Sequence, residues 1–515
     1  MGNIVLSVDN NVTYLSGRLG SEVYKDLKKG LGYKPEQAHF LIENHEKKYK
    51  DAEGNFKKGE EWREGWDGTI STLCWNRSTC KCNIKKKGTH FPTGLLSKAC
   101  EVLKRYNIDY SFKDLRQEYE HIDDLSMSDE FEIRDYQQEV IQVVSKADRG
   151  IIKAATGSGK TSIAAGLISK IGVFPTIFYV PSIDLMLQSK NEMEKFIRKN
   201  GEEIKVGMVG GGKKDIQDIT VMTIQTAVRS LGGVWVKYDE EDTSKDETDI
   251  EDMKEKIVNL IRNAKLIICD EIQHWAAETC QIISDNSVLA RHRWGVSATP
   301  WRDQGDDILI DGCFGKCFAD ISASLLIKKK YLVKPYINII NIPQTINIKK
   351  KSYAQIYKYG IVENELRNSY IKNIAETYYE SGRNILILVK QIAHGKLLEK
   401  MIPNSFFLYG NHSMKKREKH LEKMRNGEAR LTISSVIFDE GIDCKSLDTL
   451  ILAGSGKSPT RALQRVGRVL RTFPDKDGAI VVDFLDNYKY LKAHSSKRIK
   501  MYRTEPEFVI RTINP

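Results

Sequence analysis

The sequence predicts an α/β chain: two parallel-sheet domains in tandem, with a small α+β domain at the amino end. Three observations predict it. From about Gly150 onward short apolar runs alternate with amphipathic stretches, the pattern of βα units around parallel sheets. The alternation comes as two series, separated by the basic, proline-closed segment Leu325 to Pro335 (LLIKKKYLVKP), which suits a linker. Residues 1 to about 125 lack the alternation and are rich in lysine. The expected division is therefore 1–125, 126–325 and 326–515.

The bounds agree with this. At 515 residues the chain has length for about three domains, and 41% hydrophobic content suits ordinary soluble cores. Eighty basic against 69 acidic residues give +11, a balance that favours an anionic partner such as nucleic acid. Nine scattered cysteines, without an apolar leader or a run of about 18 apolar residues, lead us to expect a reduced, soluble, cytoplasmic protein with no membrane partner.

In chain order, the segment EGWDGTISTLCWNRSTCKCNIKKKGTHFPTGLL reads as a small antiparallel sheet, followed by the helix-like LLSKACEVLKRY. Cys74, Cys80, Cys82 and Cys100 fall in this region. Their spacing lacks the paired C-x2-C knuckles of structural zinc sites, so thiols and a metal site both stay open. The first series of strands is read at Gly150–Lys153, Thr176–Val180, Ile219–Ile224, Lys265–Cys269 and Arg293–Ser297. The acidic run Tyr238 to Lys256 shows no periodic apolar face and reads as a solvated insertion. The second series is read at Asn384–Val389, Ser405–Tyr409, Arg430–Ser434, Thr449–Ala453 and Ala479–Phe484.

The first chemistry-bearing stretch is AATGSGKT, Ala154 to Thr161. A strand, then small residues, then Lys-Thr at a helix start make a phosphate-binding loop. Thr156, Gly157, Ser158 and Gly159 offer bare backbone, Lys160 adds charge near the β and γ phosphates, and Thr161 can ligate Mg²⁺. The strict pattern has glycine where this chain has Ala154. A partner stands in KLIICDEIQHW, where an apolar strand delivers Asp270 and Glu271 to its carboxyl end. There Asp270 would hold Mg²⁺ and Glu271 would orient or deprotonate the attacking water.

In PTRALQRVGRVLRT, Gln464, Arg468 and Arg471 fall at i, i+4 and i+7 and are expected to share one helical face, with Leu463, Val466 and Leu470 on the apolar side. Two arginines presented to a γ-phosphate held by another domain form an arginine-finger arrangement. A solvated cationic face is the other reading of this stripe.

These residues resemble superfamily 2 helicases and translocases over most of residues 131 to 486, and the resemblance implies two RecA-like domains with ATP and Mg²⁺ as cofactors. FEIRDYQ looks like the adenine-recognition motif, with Gln137 on the adenine edge and Arg134 and Tyr136 beside it. AATGSGKT, DEIQH, SATP, SSVIFDEGID and QRVGRVLR follow in the family's order, and SSVIFDEGID places Gly441 and Asp443 at the nucleotide. YVPSIDLMLQ and VMTIQTA fall where the family contacts the nucleic-acid backbone. One departure is visible: the family's DExH box has His fourth, whereas here Gln273 is fourth and His274 fifth. Gln273 is expected to hydrogen-bond across the cleft, and Trp275 to pack.

Within the superfamily the chain most resembles the phage UvsW-type helicases that remodel branched DNA, through GWDGTI (Gly65 to Ile70) and FPTGLL (Phe91 to Leu96). That likeness implies a duplex-gripping amino-terminal domain, a DNA partner that is branched or duplex-containing, and replication or recombination proteins of a phage or its bacterial host. A plain structural hairpin is the other reading of the glycines. The expected function is ATP-driven unwinding or branch migration of forked and four-way DNA. An RNA helicase with the same core, or a non-motor DNA-binding subunit, are the rivals.

Overall fold

The computed structural model describes residues 3–35, 38–49, 67–74, 88–233, 250–276, 278–301, 305–344, 352–410, 412–435, 444–454, 456 and 458–514. The chain divides into two compact units, Met1–Lys153 with Thr161–Asp320, and Ala154–Lys160 with Ile321–Pro515.

The first unit opens with a four-stranded sheet in the order Thr89–Pro92, Val12–Ser16, Ile4–Val8, Tyr110–Asp114. Its first two pairings are antiparallel and the last is parallel. Two helices, Ser21–Gly30 and Leu96–Arg105, bury Val23, Leu27, Ala99, Val102 and Leu103 in this core, the i, i+3, i+4 stripe of an amphipathic helix. Strand Thr89–Pro92 and the helix fall where the sequence puts a sheet and a helix. The central strands, however, come from residues 4–16, and the segment 75–87 lies outside the described residues.

The same unit continues into an eight-stranded sheet ordered Lys213–Asp215, Val206–Gly210, Ile219–Thr223, Thr176–Val180, Leu266–Asp270, His292–Ser297, Arg149–Ala154, Cys317–Ile321. Thr176–Val180, Ile219–Thr223 and Leu266–Asp270 are buried at every residue, as parallel strands covered on both faces must be. All five strands read from the first series are present within a residue or so of their expected ends. The end of the acidic run departs from the sequence reading. Ile250–Asn263 is a helix that buries Ile257, Leu260 and Ile261 and packs Met253 against the same core, so the apolar face begins within the end of the charged stretch.

The second unit holds a seven-stranded sheet, with all six pairings of neighbouring strands parallel, ordered Phe406–Leu408, Leu431–Ser434, Ile385–Leu388, Thr449–Ile451, Gly478–Asp486, Lys334–Ile342, Val509–Ile513. The two-domain α/β architecture is thus as expected. The segment read as a linker is instead ordered structure. Ala323–Lys328 is a short helix capped by the Ser322 hydroxyl, with Leu326 buried, and Pro335 is the second residue of a nine-residue strand.

Among the described residues no helix is long and apolar enough to cross a membrane. Cys74 and Cys100 are not joined in a disulfide, and Cys80 and Cys82 lie outside the described residues.

Candidate functional site

The phosphate-loop candidate runs from the buried strand Arg149–Ala154 to the helix Lys160–Ile171. Gly157 and Gly159 sit at φ 86° and 77°, where an L side chain costs about 1–2 kcal/mol. These glycines therefore keep the loop both turned and bare. Ser158 N–H donates to the Ala155 carbonyl at 3.1 Å. Lys160 and Thr161 open a helix with no acidic residue in its first turn, so nothing there cancels the positive end of the helix dipole. Ala154, the departure from the strict glycine pattern, is the fully buried last residue of the strand.

The acidic pair lies in the same sheet. Strand Leu266–Asp270 is separated from Arg149–Ala154 by one strand, His292–Ser297, and all three are parallel, so Asp270 stands at the carboxyl edge. Asp270 is 8% exposed, and its Oδ1 accepts the Glu271 N–H at 3.0 Å. Glu271 takes φ 52°, the left-handed region that a side-chain-bearing residue avoids unless its surroundings fix it.

Those surroundings are specific. Gln273 Nε2 donates to Glu271 Oε2 at 2.8 Å, Ser297 Oγ lies 2.7 Å from Gln273 Oε1 and 3.2 Å from Glu271 Oε2, and Thr299 N–H donates to Ser297 Oγ at 3.1 Å. A hydroxyl has one proton, and the shorter distance assigns it to Gln273. Gln273 therefore ties the carboxylate of one motif to the serine of SATP within one unit, which the expected bond across a cleft did not foresee. Ser297 was legible as part of SATP, but its partner was not. Trp275 is fully buried and packs, as its apolar neighbours suggest.

The adenine-motif candidates start a helix, Asp135–Val144, with Arg134 as its N-cap. Arg134 N–H donates to Gln137 Oε1 at 3.0 Å and Arg134 NH1 to the Tyr136 hydroxyl at 3.0 Å. Tyr136 and Gln137 are 3% and 1% exposed, so the structure brings these three residues together and fixes the amide.

In the second unit, Pro459–Val469 is a helix capped by Ser458 and burying Ala462, Val466 and Val469. Gln464 and Arg468 are on it, four residues apart. Arg471 is not, which corrects the expected shared helical face. The helix ends at Val469, Leu470 accepts Val333 N–H at 2.8 Å, and Arg471 forms a β-bridge with Leu332. Tertiary pairing stops the helix before its periodicity runs out. The Arg471 carbonyl also accepts from Lys476 Nζ at 2.9 Å, an ammonium that burial pushes down to about 8 and that the sequence did not single out.

Two buried ion pairs brace the loop before this helix. Arg367 pairs with Asp486 at 2.8 Å and donates to Ala453 O at 2.7 Å, and Arg498 pairs with Asp483 at 2.8 Å and donates to Gly456 O at 2.8 Å. Gly441 and Asp443 lie outside the described residues.

Comparison with known proteins accords with this arrangement. The family model for the type III restriction enzyme res subunit matches residues 130–302, and the helicase conserved C-terminal domain matches residues 367–473. A DNA 3'-5' translocase, XPB2, of Sulfurisphaera tokodaii is 26% identical over 411 residues, covering 72% of this chain and 86% of the relative. The ATP-dependent DNA helicase uvsW of Enterobacteria phage T4 is 27% identical over 229 residues, 39% of this chain and 45% of the relative. The DNA-bound structure of the ATP-dependent type ISP restriction-modification enzyme LlaBIII is 16% identical with a TM-score of 0.51, covering 75% of this chain and 31% of that one, a likeness of fold. With both domain models matched in order around the loop, the acidic pair and the arginine helix, the chain belongs to the superfamily 2 helicases, as an ATP-dependent enzyme.

Proposed function

We propose that the protein is an ATP-driven DNA translocase that unwinds or branch-migrates forked and four-way DNA in replication, recombination or repair. The observation that carries its motor chemistry is the Glu271–Gln273–Ser297 network at the carboxyl edge of the sheet that also bears the loop Ala154–Lys160. The choice of DNA is supported by relatives named as acting on it.

In this reading the loop amides and Lys160 hold the triphosphate. Gln137, Arg134 and Tyr136 hold the adenine, Glu271 orients the attacking water, and Gln464, Arg468 and Arg471 come from the second domain to the developing charge. Gly441 and Asp443 join the nucleotide side. The Asp270 carboxylate and Thr161 hydroxyl are hard oxygen donors, a set that suits Mg²⁺, which supplies charge neutralisation at the phosphates when bound. Closing and reopening of the two domains around ATP then shifts the DNA contacts in register, and the lysine-rich amino-terminal domain grips duplex.

The test is ATPase and unwinding on matched single-stranded, duplex, forked and four-way DNA with an RNA control, run with wild type and Glu271→Gln. Preference for branched DNA is expected, with ATP still bound by the variant and turnover lost. Equal stimulation by RNA, or turnover within about threefold of wild type in the variant, roughly 0.7 kcal/mol, would overturn the reading.

A further inference from the structure

We propose that the amino-terminal domain positions the hydrolysis site: the seating of Thr93 and Gly94 on helix Ile308–Phe314 holds that helix against the Trp275 turn and so sets the direction of Glu271. The proposal rests on Glu271 being the residue that orients water.

The seat is the FPTGLL stretch. Phe91 and Leu95 are fully buried, Thr93 is 3% exposed, and Thr93 donates from its hydroxyl to Asp9 O at 2.8 Å and from its N–H to Asn11 O at 3.0 Å. Gly94 then meets bare backbone: a Cβ there would stand 2.1 Å from Asp311 O and 2.6 Å from Gly312 O. The helix answers with a glycine of its own, since a Cβ on Gly312 would lie 3.2 Å from that of Pro92. Ile308 of the same helix belongs to the amino-terminal core, and Lys98 pairs with Asp311 at 2.7 Å. The missing Cβ of Gly94 permits an approach to the Asp311 and Gly312 carbonyls that no side chain would tolerate, and Gly312 leaves room for Pro92.

The other side of the short helix faces the acidic motif. Ile310, Cys313 and Phe314 are buried in the parallel-sheet core. The Phe314 ring meets Trp275 edge-on at 5.5 Å, an arrangement aromatic pairs favour. Cys313 Sγ lies 3.5 Å from Gln281 Oε1, and Gln281 Nε2 donates to Trp275 O at 2.7 Å. Gly295 leaves room for both Ile272 and Phe314, which a Cβ would meet at 2.7 and 3.3 Å. Ile272 and Trp275 belong to the turn Ile272–Ala276 that follows Glu271. Since Glu271 is held at φ 52°, what packs on that turn decides where its carboxylate stands. A close-packed interior transmits a displacement of the seat rather than absorbing it, so DNA held by the amino-terminal domain gains a path to the rate of hydrolysis.

The experiment uses the full chain carrying Gly94→Ala or Phe314→Leu. It measures kcat and KM for ATP with saturating DNA, and folded sites are counted by titration with a nonhydrolysable ATP analogue. The expected result is a kcat per site lowered about tenfold or more, with KM and analogue affinity within about threefold. A merely structural role would lower the number of sites and leave kcat per site unchanged, so kcat within about twofold of wild type in the variants that fold overturns the proposal. Should Gly94→Ala not fold, Phe314→Leu decides by the same criterion. Glu271→Gln run beside them separates the two failures: turnover retained there sinks the underlying role of Glu271, whereas turnover lost there and normal in Phe314→Leu sinks only the positioning role.

Discussion

Arg149 and Arg293 are register partners on adjacent parallel strands, two guanidinium groups side by side, and one turn of the amino-terminal sheet caps both. Arg149 donates to Asn10 O at 2.7 Å. The buried Arg293 donates to Ala290 O, Ser287 O and the Ser284 hydroxyl, and to Asn11 Oδ1. Asn11 and Asn10 return donors to Asp285 O at 2.8 Å and Val288 O at 3.0 Å. Burial, and then the charge of Arg293, pushes Arg149 down to about 9. Removing one partner of a buried charge costs more than the bond itself is worth. Asn11→Ala is therefore expected to lower stability by about 1–3 kcal/mol, read by denaturant unfolding, and a loss under about 0.5 kcal/mol would contradict the capping role.

The same contacts bear on the duplex grip. Deleting residues 1–125 would uncap Arg149 and Arg293 and strip the cover from Ile308. The deletion is therefore expected to yield an unstable or aggregating core, and point changes of exposed amino-terminal lysines are the sharper probe. Neutralising Lys25, Lys28 and Lys29 together is expected to weaken branched-DNA binding and to flatten its salt dependence, since each lost phosphate contact lowers the log–log slope by about 0.9. An unchanged slope in salt titrations of binding would remove those lysines from the grip.

Gln273 holds Glu271 by one bond and Ser297 by another. Without it the carboxylate loses the group that fixes its orientation, and a misplacement of about 1 Å costs on the order of a hundredfold. Gln273→Ala is expected to lower kcat about tenfold to a hundredfold with ATP affinity little changed. Gln273→Glu should fall further, because a second carboxylate beside Glu271 disfavours its charged form. Steady-state ATPase with parallel nucleotide titration is the measurement, and a wild-type kcat in Gln273→Ala would refute the link.

His394 supplies a pH signature for the second unit. It is buried, with Nε2 2.9 Å from Asn368 Oδ1, and burial, then the Arg367 charge, pushes its pKa down to about 3 from 6.5. Between those values the unfolded chain takes up a proton that the folded chain refuses, so stability falls as pH drops through that window, by at most about 1.4 kcal/mol per pH unit. Above pH 6.5 the penalty is absent. Replacing His394 with Asn should flatten the acid limb of a stability–pH curve, and a limb of unchanged slope would contradict this account.

Both strand series were legible because strands buried on two faces must be apolar runs, and Thr176–Val180 and Leu266–Asp270 are that. The strand Lys334–Ile342 was not. It carries Pro335 and alternates buried with half-exposed residues, so a neighbouring basic run made it look like a linker. Residues 4–16 were passed over because their two strands pair antiparallel, outside the βα alternation that marks the later strands. At the site, residue types were readable and mutual geometry was not. Gly94 read as a turn glycine, and nothing in its neighbours names Asp311 as the reason.

Arg471 carries the last prediction, and its placement sharpens it. A residue on an exposed helical face could be replaced with little consequence, whereas this one lies past the helix end, its backbone bridged to Leu332 and its carbonyl bound by Lys476. Such fixing limits where the guanidinium can reach, as a group that must meet a developing charge requires. Arg471→Ala should leave ATP affinity within about tenfold, 1.4 kcal/mol, because Lys160 and the loop amides remain, while turnover falls by about 10³ or more. DNA should no longer accelerate hydrolysis. Lys476→Met offers the companion measurement, since it loosens the Arg471 backbone without removing the charge and should lower kcat by a smaller factor. Normal DNA-stimulated ATPase in Arg471→Ala would show that this arginine takes no part in hydrolysis and that the motor is completed from elsewhere.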